Sequence, residues 1–145
     1  SPAEEGIAYE HRERVEEGRA KNVEEAKEII VNKNKEVSKD RIIKAFACKP
    51  LASTLKTAET THFPPKEWLK NNPAEGKGGS GEYKAGGIAF QHVYSIVAAD
   101  KHEIHLRNPW GEYSRVRGKI RRRKAVSILT WDEFYQVVSS VSLKA

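Results

Sequence analysis

Residues 86–108 read GGIAFQHVYSIVAADKHEIHLRN. Ile88 to Ala98 is rich in β-branched and aromatic residues, and Asp100-Lys101 has the chemistry of a turn. Glu103 to Arg107 alternates, with Ile104 and Leu106 on one side and His105 and Arg107 on the other. The stretch therefore predicts an antiparallel hairpin. Toward the C-terminus, Val116 to Ile120 and Ala125 to Leu129 predict further strands. Thr130-Trp131-Asp132-Glu133 reads as a capping box opening a short helix through Val138, and Val141 to Leu143 as a closing strand. Toward the N-terminus, Thr60 to Ser80 reads as loop, with Trp68 and Leu69 anchoring a short helical turn. Its Gly-rich end carries no GKS or GKT after a strand, so a phosphate-binding loop is excluded. Leu51 to Thr60 predicts a short helix with Pro50 in its first turn. Asp40 predicts the cap of another, whose apolar face is Ile42, Ile43, Ala45, Phe46 and Ala47. The fold class is α+β: a helical N-terminal part followed by a mostly antiparallel β-sheet.

A length of 145 residues suits one ordinary core, and three Trp with five Tyr and four Phe argue against disorder. No run approaches the ~18 apolar residues of a membrane span. One cysteine excludes an intramolecular disulfide and a multi-thiolate zinc site. The chain starts Ser1-Pro2, lacks Met and shows no leader pattern, so it reads as an excised domain, with delivery inside a larger secreted protein left open. Residues 1–40 hold 8 basic and 11 acidic side chains, and residues 41–145 hold 18 basic and 9 acidic. That change predicts a helical arm or linker over 1–39 and the α+β domain over 40–145. In the arm, Asn22 reads as an N-cap, with Val23, Ala26, Ile30 and Val37 at roughly helical spacing.

The chemistry-bearing pair lies in the hairpin. His92 is in the first strand and Asn108 follows the second, sixteen residues later. Pairing of the strands brings those ends side by side, so the Asn amide can orient the imidazole, the third-group role in a nucleophile–base–orienter triad. Trp110 is placed to cover the contact.

Gln91-His92-Val93-Tyr94-Ser95-Ile96-Val97 and Leu106-Arg107-Asn108-Pro109-Trp110-Gly111-Glu112 together resemble the papain-like cysteine peptidases, most closely the calpain branch. Leu129 to Phe134 is similar to that branch's closing segment. The resemblance covers about residues 86–145, with a weaker echo from Asp40 to Leu55. It implies a papain-like fold, with His92 as general acid and base, Asn108 as its orienter and Trp110 as shield. It also implies a nucleophilic cysteine, for which Cys48 is the candidate in this chain, in the order Cys, His, Asn. Cys48 is followed by Lys49-Pro50 where the family has an aromatic residue, and no Gln stands shortly before it. In direct comparison with calpains it falls at a helix-to-strand junction of the second subdomain, which would place the nucleophile upstream.

Residues 115–124, RVRGKIRRRK, hold seven basic side chains and no acid. Arg115, Arg117, Arg121, Arg122, Arg123 and Lys124 are thus candidate substrate- or phosphate-binding residues, and nucleic acid is a candidate partner. An acidic partner protein fits the same charges, and aromatics for base stacking are sparse, Tyr113 being the nearest. His102 and His105 are three apart on a turn and strand, where they face opposite sides, so no metal site is expected and no cofactor is implied. The leading expectation is cysteine-dependent hydrolysis or transfer on a protein substrate, in an effector or toxin domain held in check by an acidic inhibitor or immunity protein. The alternatives are an RNA-cleaving toxin domain on the same fold and an inactive papain-like binding scaffold.

Overall fold

A computed structural model describes residues 28–31, 35–47, 55–77, 81–109, 113–122 and 124–144. Eleven strands and three helices are described. In chain order they are β1 (Glu28–Ile30), α1 (Lys35–Ala47), β2 (Leu55–Thr60), α2 (Lys66–Asn71), β3 (Ala74–Lys77), β4 (Tyr83–Ala85), β5 (Ile88–Ala89), β6 (Val93–Ala99), β7 (Glu103–Arg107), β8 (Tyr113–Val116), β9 (Lys119–Arg122), β10 (Val126–Thr130), α3 (Trp131–Val137) and β11 (Val138–Lys144). The large sheet has the order β1-β11-β2-β6-β7-β10-β8-β9, and β3-β4-β5 form a small one. Every pairing is antiparallel except β8 with β10. The α+β class with a mostly antiparallel sheet is therefore what the chain adopts. No helix among the described residues is long and apolar enough to cross a membrane.

The predicted hairpin is β6–β7, paired from Ser95↔Arg107 to Ala99↔Ile104 with a register shift between Ile96 and Ala98. The strand expected over Ile88–Ala98 breaks into β5 and β6, because Gln91 takes a left-handed conformation (φ 55°) and donates its N–H to Thr61 O at 2.7 Å. Ile104 and Leu106 are fully buried, as the alternation requires. The capping box at Thr130 and Glu133 is also present, opening α3.

Four local expectations are corrected. Leu55–Thr60 is strand β2 rather than helix: Lys56, Ala58 and Thr60 are buried while Thr57 and Glu59 are less so, a period of two that central pairing to β6 and β11 enforces. Val116 to Ile120 is not one strand but the end of β8 and the start of β9, joined by a two-residue turn with Arg117 at φ 47° and Gly118 at φ 84°. Ala74–Lys77 is a strand inside a segment read as loop. Glu28–Ile30 pairs with β11, so the helical spacing that includes Ile30 does not make a helix there, and residues 1–27 lie outside the described residues. Helix α1 also starts five residues before Asp40, at Lys35, and buries Ser38, Arg41, Ile42 and Ala45, one stripe of its surface.

The core lies on one face of the large sheet. Ala58, Tyr94, Ile96, Ile104, Leu106, Leu129 and Val141 form one cluster with Ile42 of α1, Trp68 of α2 and Phe134 of α3. Each large side chain buried there contributes about 1.5–3 kcal/mol. The small sheet is held against β8 through the turn Gly86-Gly87, whose φ angles of 65° and 83° suit a two-residue hairpin loop. A Cβ on Gly87 would stand 2.8 Å from the backbone oxygen of Ser114, whereas one on Gly118, also at positive φ, meets nothing within 4 Å. Gly118→Ala is therefore expected to cost about 1 kcal/mol from backbone strain, and Gly87→Ala about 2–4 kcal/mol because the clash is added. Urea unfolding of the two variants checks the difference, and equal costs would show that β8 can move aside.

Candidate active site

Because Ser95 pairs with Arg107 and the register runs on, Asn108 stands opposite Tyr94, and His92 is its diagonal neighbour on the same face. The side chains meet: His92 Nε2 lies 3.0 Å from Asn108 Oδ1. An amide oxygen only accepts, so Nε2 carries the proton and the neutral ring has its lone pair on Nδ1. Asn108 is buried at 6% exposure, and its backbone N–H donates to Ala125 O at 2.8 Å, tying the end of β7 to the approach of β10.

His92 is held from two further directions. Its N–H donates to Thr60 Oγ1 at 3.0 Å, and its carbonyl accepts the Thr60 N–H at 2.9 Å. The Thr60 hydroxyl donates in turn to Ala89 O at 2.9 Å, the shorter of two acceptors in reach. Tyr94 meets the His92 ring edge-on, with centroids 5.2 Å apart, and its hydroxyl accepts the Ala89 N–H at 3.0 Å. Burial pushes the Tyr94 phenol up to about 12, with the Ala89 bond opposing and the Glu82 charge adding to it, so it stays protonated at neutral pH. Thr60 and Tyr94 were not singled out from the sequence. The Tyr two residues after His92 was a usable signal, whereas Thr60 was hidden in a segment read as helix.

Cys48, Trp110 and Arg123 lie outside the described residues. The helix leading toward Cys48 ends with Phe46 under the ammonium of buried Lys56, 4.7 Å from ring centre to Nζ. Burial lowers the Lys56 pKa. Lys56 stands near the start of β2 and Thr60 at its end, about 13 Å apart at ~3.3 Å per residue.

The basic segment does not converge on His92. β9 lies four strand spacings from β6, roughly 19 Å along the sheet. Arg115 is committed to internal contacts: Nε donates to Glu133 Oε2 at 2.8 Å, Nη1 to Asn72 Oδ1 at 2.8 Å and Gly86 O at 3.1 Å, and the guanidinium lies 4.7 Å from the Trp68 ring centre. Arg117 pairs with Glu103 at 3.0 Å. Arg121, Arg122 and Lys124 are exposed. Among the described residues, no group of three or more His, Cys, Asp or Glu side chains converges as metal ligands do.

Neither the protein-family models nor the curated proteins with which the sequence was compared match this chain. A histidine oriented by a buried neutral amide can take a proton on Nδ1 and give it back, and the amide holds the ring without adding a full charge.

The acidic turn before β7 has a separate consequence. The hydrogen bond from His105 Nε2, at 2.9 Å, and then the Arg117 contacts hold the Glu103 carboxyl below its usual value. The backbone N–H groups of His102 and then Glu103 do the same for Asp100. A depressed carboxyl adds stability above the unfolded value near ~4, and that contribution is lost as pH falls through the folded value. The melting temperature is thus expected to drop from about pH 5 toward pH 2, with a shallower drop in Glu103→Gln. Thermal melts across that range check it, and parallel curves would remove Glu103 from the account.

Proposed function

We propose that His92 and Asn108 are the acid–base pair of a papain-like, cysteine-dependent hydrolase or transferase acting on a protein substrate. The observation that carries this reading is the 3.0 Å contact between Nε2 and the buried Asn108 Oδ1. In the reaction, Nδ1 of His92 accepts the thiol proton as the thiolate attacks the scissile carbonyl carbon. The imidazolium then returns that proton to the leaving amine as the carbon–nitrogen bond breaks, leaving an acyl thioester. His92 next deprotonates the water or acceptor amine that attacks the thioester, and the thiolate departs and is reprotonated. Asn108 keeps the ring in the tautomer that makes each transfer possible.

Cys48 is the nucleophile this reading assigns within the chain. One observation favours the rival assignment, a thiol carried on another segment: Phe46 packs against Lys56, at the end of β2 away from Thr60 and His92. Iodoacetamide alkylation of Cys48 between pH 4 and pH 9, in wild type and His92→Ala, separates the two. The expected result for Cys48 is a thiolate titrating well below ~8.5, with the shift lost in the His variant. Ordinary titration in both proteins overturns the assignment of Cys48. Failure of the ¹⁵N spectrum of His92 to show the Nε2–H tautomer, or its persistence unchanged in Asn108→Ala, would overturn the pair itself.

A further inference from the structure

Strand β9, unlike β8 with its Arg115, contributes no described residue to the pair or to the core. Among the described residues β9 is an outer strand of the large sheet, bonded to β8 alone, and all four of its residues are exposed. An outer strand leaves one row of backbone N–H and C=O groups available to another strand. Its side chains are Lys119, Ile120, Arg121 and Arg122, with exposed Lys124 just beyond, and no acidic residue occurs between Glu112 and Asp132. Among the described residues neither Lys119 nor Arg121 makes an ion pair. Ile120 adds an apolar contact at 46% exposure between its two basic neighbours.

We propose that β9 is a docking edge for an extended acidic segment of a partner protein, which adds to the sheet beyond β9. Charge selects the occupant. A second copy of this strand would set cations against cations, and like charges directly opposite are destabilising. Single-stranded nucleic acid would want an aromatic ring for its bases. Among the described residues the aromatic beside β9 is Tyr113, and it is already engaged: Arg122 donates to its hydroxyl at 3.1 Å and lies 5.7 Å from the ring centre, while Lys84 lies 5.3 Å from it. An acidic strand satisfies both the backbone row and the cations, the main-chain bonds supplying affinity and alternate side chains specificity. The proposal is independent of the cysteine reading, because it is tested by binding rather than turnover.

The probe is a short fluorescent peptide of alternating glutamate and threonine, titrated by anisotropy with the full chain. It is expected to bind, to protect the β9 amides from hydrogen exchange, and to weaken at least ~10-fold in Lys119→Glu/Arg121→Glu/Lys124→Glu. These three side chains are exposed, and an unchanged melt, together with a gain of binding to an alternating lysine–threonine peptide, shows that the variant is folded. An N-methylated version of the acidic peptide keeps the charge but lacks ladder donors, and it is expected to lose binding. Equal binding of that version overturns strand addition. Tighter binding of an oligouridine to the same residues would assign the edge to nucleic acid, and binding of neither would leave the charges as protection against edge-to-edge pairing. Each of those results overturns the proposal.

Discussion

Arg115→Ala is expected to lower the stability of the chain by roughly 2–4 kcal/mol. Its guanidinium reaches three separate pieces of structure at once: Glu133 on α3, Asn72 just after α2, and the carbonyl of Gly86 in the β4–β5 turn, while stacked on Trp68. Truncation leaves the Glu133 carboxylate, whose side chain is only 17% exposed, without its counter-charge, and leaves two oxygens without their donor. The residual exposure of the pair sets the estimate below the 3–5 kcal/mol of a fully buried one. Arg115→Lys keeps the charge but cannot span the three contacts, because an ammonium lacks the planar fork, and it is expected to recover less than half of the loss. Chemical denaturation of wild type and both variants measures this. A cost below about 0.5 kcal/mol for Arg115→Ala would show an exposed, solvent-screened pair.

The second large effect concerns chemistry. In the proposed reaction, His92→Ala is expected to reduce the cysteine-dependent rate about 10²–10⁴-fold, the usual range for a positioned acid–base group. Asn108→Ala leaves the imidazole in place but frees its tautomer and orientation, so it is expected to cost less, about 10–100-fold, and mostly in kcat. Asn108→Asp separates orientation from charge. It retains an acceptor for Nε2–H but places a carboxylate beside the ring, and is expected to raise the imidazole pKa and move the pH–rate profile to higher pH while restoring part of the rate. If Asn108→Ala acts as full wild type, the 3.0 Å contact is structural and not part of the reaction. If instead His92→Ala unfolds the chain, the comparison rests on His92→Gln, which fills the same space.

The two residues of the pair were legible in the sequence for a simple reason. Their spacing across the β6–β7 hairpin is local, and two strands joined by a short turn leave few registers in which Ile104 and Leu106 face the core. The cap of α3 was legible on the same ground, since Thr130 and Glu133 satisfy each other within one turn. Segment Leu55–Thr60 was not. Its Leu, Lys, Ala and Glu suit a helix, and only central pairing between β11 and β6 makes it a strand. That misreading hid Thr60, whose hydroxyl and backbone hold His92.

The basic stretch shows the same division most clearly. Seven cations in ten residues announce a charged surface, but charge alone cannot say which are available. Arg115 and Arg121 are six residues apart and alike in chemistry, yet one is clamped among Glu133, Asn72 and Trp68 while the other is exposed on an outer strand. Residue identity and short-range pattern therefore set the α+β class, the β6–β7 hairpin, the helix cap and the sign of the surface, because those depend on contacts within a few residues. The anchoring of His92 by Thr60, the commitment of Arg115 and the outer position of β9 were decided by tertiary structure, because each depends on segments brought together from distant parts of the chain.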